Sequence, residues 1–127
     1  MAVLGETLLV VEDDDALRRM LEQFLVFEGF RVLTAAHGAE ALRSLNGTIP
    51  SLVVLDLALP WVNGLEVLAI MRADPRLRQV PVLVVTGTMT TARDLQAYRP
   101  VSVLKKPVNP DAIAPVIHQI LSGHVAL

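Results

Sequence analysis

LLVVEDDDALRRML, residues 8–21, changes character twice within fourteen residues: four apolar positions, four consecutive acids (Glu12 to Asp15), then an amphipathic run. A short apolar run ended by polar residues reads as a strand buried on both faces. Beyond the acids, Leu17, Met20, Leu21, Phe24 and Leu25 recur at helical spacing, which predicts a helix. The acids therefore fall where a strand stops and a helix starts. Asp14 or Asp15 can serve as the N-cap and complement the helix dipole. For Glu12 and Asp13, capping and a functional role both stay open on this stretch alone.

The same alternation continues along the chain. Apolar runs at Arg31–Ala35, Ser51–Leu55, Val80–Val85 and Val101–Leu104 join Thr7–Val11 as five predicted strands. Ala39 to Leu45 reads as a second helix ended by Asn46-Gly47, a C-cap signal. Leu65 to Arg72 is a third, closed off before Pro75, and Thr91 to Tyr98 a short fourth with a thin apolar face. Asn109-Pro110 opens the last helix, with proline where its missing N–H costs least. Ile113, Val116, Ile117, Ile120 and Leu121 give that helix its buried face. Pro115 inside it predicts either a kink or a helix that begins only there, because proline removes a backbone bond and clashes with the preceding turn.

Strands alternating with helices imply βαβ units, a parallel sheet and right-handed crossovers. Five strands in 127 residues predict an α/β, flavodoxin-like (βα)5 three-layer sandwich with strand order 2-1-3-4-5. Its ligand crevice lies outside the carboxyl ends of strands 1 and 3. The length suits one domain over residues 1–127, and no repeat, linker or low-complexity segment divides it.

Composition narrows the function. Mean hydropathy is +0.51 with 53% apolar residues, as expected of strands buried on both faces. The apolar stretches are interrupted by Asp56, Pro60 or Pro81 well short of a membrane span. Met1 to Thr7 lacks the pattern of an export signal, which leaves the cytoplasm as the expected compartment. A net charge of -2, with 11 basic residues that form no strip, argues against nucleic-acid binding by this chain. With no cysteine, thiol chemistry, disulfides and cysteine-based zinc sites are excluded.

The predicted topology brings distant residues to one crevice. Glu12 and Asp13 lie just past strand 1, and Asp56, in LVVLDLALP, ends strand 3 beside it. Converging carboxylates either raise their pKa values or hold a cation. Oxygen ligands without His or Cys favour a hard ion, Mg²⁺ or Mn²⁺. Strand 4 ends at Thr86-Gly87, and strand 5 ends in Lys105-Lys106-Pro107. Alone, the first is an ordinary turn and the second a solvated charge. Together they make acids for a metal, a carboxylate nucleophile, a hydroxyl donor and an ammonium, the set that phosphoryl transfer requires.

LLVVEDD, LVVLDLALPWVNG, VLVVTG and LKKP, in that order, make the chain resemble the receiver domain of bacterial two-component response regulators over essentially its whole length. The resemblance implies phosphorelay signalling. Asp56 would be the phosphoacceptor, loaded by a sensor histidine kinase or phosphotransfer protein, and the loaded form would change its affinity for a downstream effector. Glu12, Asp13 and Asp56 would hold Mg²⁺ with the backbone carbonyl of Ala58. Thr86 would hydrogen-bond a phosphoryl oxygen and Lys106 would pair with another, with a cis Lys106-Pro107 peptide. Lys105 is the runner-up, which strand alternation points away from the crevice. Such a domain is no enzyme beyond Mg²⁺-dependent self-phosphorylation and slow autodephosphorylation; Ala58 and Thr88, at places that tune phosphoryl loss, offer no catalytic base. The apolar residues of the last helix leave room for a homodimer.

The chain departs from the family pattern on its output side. Val103 stands where many receivers carry an aromatic rotor, and DLQAYRPVSVLKKP is about two residues shorter than usual, with Pro100 at a common Gly-Ala turn. Tyr98 reads as a partly packed helix tyrosine rather than a replacement. His37, His118 and His124 read as surface histidines, and Trp61 as a partly exposed loop aromatic. Other classes fit less well. A Mg²⁺-dependent phosphatase needs a second carboxylate near the nucleophile and a cap, whereas Leu57 and Ala58 follow Asp56. A nucleotide or flavin module needs a Gly-rich phosphate loop where this chain has EDDD. A receiver-like module that is no longer phosphorylated finds no support in the acceptor site, which keeps all its residues, but the altered output face keeps that reading open.

Overall fold

The computed structural model describes residues 5–123, so the reading of His124 lies outside the described residues. The elements run β1 (Thr7–Val11), α1 (Asp15–Phe27), β2 (Arg31–Ala35), α2 (Gly38–Gly47), β3 (Leu52–Leu55), α3 (Gly64–Ala73), β4 (Val82–Thr86), a single 3₁₀ turn (Gln96–Tyr98), β5 (Val101–Lys105) and α4 (Pro110–Ser122). All strand pairs are parallel, and the sheet order is β2-β1-β3-β4-β5, as the sequence predicts.

Strand alternation builds two cores from one sheet. Leu9, Val11, Val53, Leu55, Val82 and Val84 face one way, against Ala41 and Leu45 of α2 and Val67, Leu68 and Met71 of α3. Leu8, Val10, Leu52, Val54, Leu83 and Val85 face the other way, against Leu21 and Leu25 of α1 and Ile113 and Ile117 of α4. Because both faces are covered, the central strands need no polar side, and the apolar runs follow. Among the described residues no helix is long and apolar enough to cross a membrane.

Local chemistry sets the helix ends. Asp14 caps α1 by accepting from Leu17 N at 3.0 Å. His37 caps α2 through Nδ1, which accepts from Glu40 N, while Glu40 reaches back to Ala36 N at 2.6 Å. The expected stop at Asn46-Gly47 is displaced: both residues belong to α2, and Thr48 is its C-cap. α4 starts at Pro110 and runs through Pro115, so it does not begin at the inner proline.

The fourth predicted helix does not form. Thr91 to Tyr98 makes turns and one 3₁₀ turn, leaving four α-helices rather than five among the described residues. Leu95 is the only residue of that segment buried in the core, too little apolar surface to hold a helix of that length. Pro100 also biases the residue before it away from helical geometry. Arg72 of α3 holds the segment instead. Its half-buried guanidinium donates to the carbonyls of Tyr98 at 2.6 Å, Pro100 at 2.8 Å, and Leu77 and Arg78 at 3.2 Å each. Burial lowers its pKa.

Candidate functional site

The sheet ladder continues one residue past three strands and fixes the backbone of the crevice. Glu12 N donates to Ala35 O at 3.0 Å, Asp56 N to Val11 O at 3.1 Å, and Lys106 N to Thr86 O at 2.9 Å. Each of these side chains therefore projects from a position locked to a neighbouring strand. Two glycines let the surrounding helices close in. A Cβ on Gly64 would lie 2.3 Å from Asp56 O and 2.5 Å from the Leu57 Cα, so α3 begins pressed against the end of β3. A Cβ on Gly38 would lie 2.3 Å from Val62 O, which sets α2 against the loop that follows Asp56.

Glu12, Asp13 and Asp56 each bring one carboxylate oxygen into a group spanning no more than 4.8 Å. Glu12 and Asp56 are buried, at 2% and 3% exposure, while Asp13 faces solvent. Lys106 Nζ stands between the two buried acids, 2.8 Å from Glu12 Oε1 and 3.0 Å from Asp56 Oδ2. The remaining oxygens are also occupied. Asp56 Oδ1 accepts from Ala58 N at 3.0 Å and Glu12 Oε2 from Asp14 N at 3.1 Å, while Arg18 Nη1 donates to Glu12 O at 2.8 Å.

Burial raises the Glu12 pKa, and the Asp56 charge adds to the rise; hydrogen bonds from Lys106 and Asp14 only partly oppose it. Burial alone would lower the Lys106 pKa, but its hydrogen bonds to Glu12 and Asp56, with their charges, outweigh that and raise it. Three carboxylates against one ammonium leave the pocket anionic. A donor set of carboxylate oxygens, part buried and part open to water, fits a small hard divalent cation.

Thr86 is fully buried at the end of β4, and its Oγ1 lies 3.2 Å from Thr88 Oγ1. Lys105 is exposed, with Nζ 3.3 Å from Met89 Sδ, and plays no part in the carboxylate cluster. The Lys106-Pro107 peptide is cis, and so is Arg99-Pro100, which the sequence did not announce. Val103 and Tyr98 pack half-buried against the α2–α3 core. Trp61 is 86% exposed, more than expected, at φ 62°, with its ring edge-on to His37 at 5.8 Å. His118 bonds Glu28 at 3.2 Å and lies against Phe30, away from the crevice elements. Sequence reasoning missed Gly64, Gly38, Arg18 and Arg72. The first lies inside a quoted motif, as the last letter of LVVLDLALPWVNG; for the others no local signal exists, because each acts on a segment far along the chain or on backbone alone.

A family model described as "Response regulator receiver domain" matches residues 8–118. The chain is 32% identical over 123 residues to "Response regulator Rre1" of Synechocystis sp., covering 94% of this chain and 53% of that protein. It is 37% identical over 108 residues to "Regulator of RpoS" of Escherichia coli, covering 84% and 32% respectively. It is also 37% identical over 91 residues to "DNA-binding response regulator MtrA" of Mycolicibacterium smegmatis, covering 72% and 39%. The chain thus spans about half the length of these relatives, or less. Among solved structures, a CheY-like receiver domain protein of Methanospirillum hungatei superposes with TM-score 0.85 at 27% identity, covering 94% of this chain and 96% of that one. The N-terminal domain of a receiver protein from Methanoculleus marisnigri gives 0.73 at 32% identity, covering 92% and 97%.

Proposed function

The chain belongs to the response regulator receiver domain family, and from that premise we propose that Asp56 accepts a phosphoryl group and so switches the affinity of this domain for a downstream protein or domain. The donor is a sensor histidine kinase or a histidine phosphotransfer protein. One Asp56 carboxylate oxygen attacks phosphorus, the P–N bond of the phosphohistidine breaks, and the departing imidazole nitrogen takes a proton. The observation that carries this reading is the Lys106 ammonium within 3.0 Å of Asp56 at the edge of a carboxylate cluster no wider than 4.8 Å.

Each residue then has a task. Glu12, Asp13 and Asp56, with the carbonyl of Ala58, hold Mg²⁺ or Mn²⁺, which when bound supplies positive charge that lets an anionic donor approach an anionic pocket. Lys106 shifts from its carboxylate partners to a phosphoryl oxygen, keeping a charge-assisted hydrogen bond throughout. Thr86 donates its hydroxyl to another phosphoryl oxygen. Ala58 N–H, already bonded to Asp56 Oδ1, holds the carboxylate plane in place. No second carboxylate follows Asp56, so hydrolysis of the acyl phosphate proceeds without a general base from that loop and is slow.

The test is incubation with Mg²⁺ and acetyl phosphate, read by intact mass. One added phosphoryl group is expected in the wild-type chain and none in Asp56→Asn. Continuous release of inorganic phosphate from phosphate esters would point to a phosphatase, and no mass increase with any small donor would defeat the proposal.

A further inference from the structure

We propose that the hydroxyls of Thr86, Thr88 and Thr90 form a relay that carries the state of the acidic pocket to the 3₁₀ segment. The inference rests on the reading that Asp56 takes a phosphoryl group. Thr86 Oγ1 lies 3.2 Å from Thr88 Oγ1, which lies 2.8 Å from Thr90 Oγ1. The backbone repeats the pattern: Thr88 N points at Thr86 Oγ1 and Thr90 N at Thr88 Oγ1, at 3.3 and 3.4 Å. The hydroxyls of Thr86 and Thr88 therefore each accept from the amide two residues on, and each of the three has a single proton left to place.

With Asp56 unmodified, the buried Thr86 hydroxyl has Thr88 Oγ1 as its acceptor among the described residues, so the chain runs outward, from Thr86 to Thr88 to Thr90. A phosphoryl group presents acceptors only. Thr86 gives its one proton there; Thr88 then donates to Thr86 and Thr90 to Thr88. The direction is reversed, anchored by a charge-assisted bond, and aligned donors strengthen one another.

The outer end of the chain meets the segment to be moved. Thr91, the next residue, donates to Asp94 Oδ2 from N at 2.9 Å and from Oγ1 at 3.1 Å, and Asp94 N returns to Thr91 Oγ1 at 3.3 Å. This cap opens the turns that lead to Gln96–Tyr98, a stretch with Leu95 buried in the core and Tyr98 half-buried against it. Val103, packed against the core on β5, carries no polar group that could answer Thr86. The polar path outward from Thr86 is the threonine chain.

The test is amide hydrogen exchange of the full chain with Mg²⁺, with and without beryllofluoride as an acyl-phosphate mimic, with occupancy read independently by fluorine NMR. In the wild type, bound fluoride is expected to slow exchange over residues 88–94 by roughly three- to tenfold, the range one strengthened hydrogen bond gives. Thr90→Val should bind fluoride equally well yet lose the slowing at 90–94, and Thr90→Ser should restore it. Occupancy without slowing in the wild type overturns the relay, as does equal slowing in Thr90→Val. Absence of bound fluoride in the wild type overturns the phosphoacceptor reading and the relay with it.

Discussion

Replacing Lys106 by methionine keeps the aliphatic stem and removes the ammonium that stands 2.8 Å from Glu12 and 3.0 Å from Asp56. At an effective dielectric of about 20, each contact is worth about 6 kcal/mol of gross attraction, and two carboxylates 4.8 Å apart repel by about 3.5 kcal/mol. Much of the attraction is offset by the desolvation of a side chain that stays 25% exposed. Loss of the partner should therefore cost about 3 kcal/mol at pH 7.5 without divalent cation, the low end for a broken buried pair. The cost must depend on pH in a set direction. Burial already raises the Glu12 pKa, and losing the ammonium raises it further, so the folded mutant binds its proton more tightly than the unfolded chain. The mutant keeps its stability below the unfolded glutamate pKa of about 4.3 and loses it as pH climbs through the folded value. Urea unfolding by circular dichroism at pH 5.0 and 7.5 measures both. Mg²⁺ should restore more stability to Lys106→Met than to the wild type, because it neutralises the same acids without facing an ammonium. A deficit under about 1 kcal/mol at pH 7.5, or one that does not shrink at pH 5.0, would refute this account of the pocket.

Two further predictions concern the frame. Gly64→Ala places a methyl 2.3 Å from Asp56 O, so the end of β3 or the start of α3 must move; the expected loss is about 1–3 kcal/mol in urea unfolding, together with slower phosphorylation from acetyl phosphate by intact mass. Arg72→Ala removes all four hydrogen bonds to the carbonyls of Leu77, Arg78, Tyr98 and Pro100; a cost of about 2–4 kcal/mol is expected, with faster amide exchange over 95–101, and Arg72→Lys should recover less than half because an ammonium lacks the planar fork.

The parts of the molecule that the sequence announced are those encoded one residue at a time. An apolar run of four to six residues bounded by turn residues reads as a strand covered on both faces, and five of them separated by helical periods leave few topologies. Glu12, Asp13, Asp56, Thr86 and Lys106 each stand at or just past a strand end, and it is their combination at neighbouring strand ends, not any one of them, that exceeds an ordinary cap, turn or surface charge. The ladder that continues past β1, β3 and β5 then makes their convergence a matter of register. The segment 91–98 has a helical period in its sequence but forms only turns. What it lacks is apolar surface facing the core, and what holds it is an arginine on another element, bonding to carbonyls that carry no sequence signature. Gly64 was overlooked for the same reason: its value lies in what a missing Cβ allows Asp56 O to approach.

That contrast bears on how the domain can signal. The buried acids of the pocket are tied to the sheet and to Lys106, so the proposed phosphorylation would change charge there more than shape. Shape can change where few apolar contacts oppose it, and segment 87–98 meets that condition with one buried side chain. Arg72 restrains its far end at Tyr98 and Pro100, while Thr86 and Thr88 restrain its near end through hydroxyls whose direction the pocket can set. A segment held at one end by the Arg72 hydrogen bonds and at the other by a hydroxyl chain responds to a change at either end. On that argument Arg72→Ala and Thr90→Val act on opposite ends of one element, and their effects on exchange at 91–98 should not add.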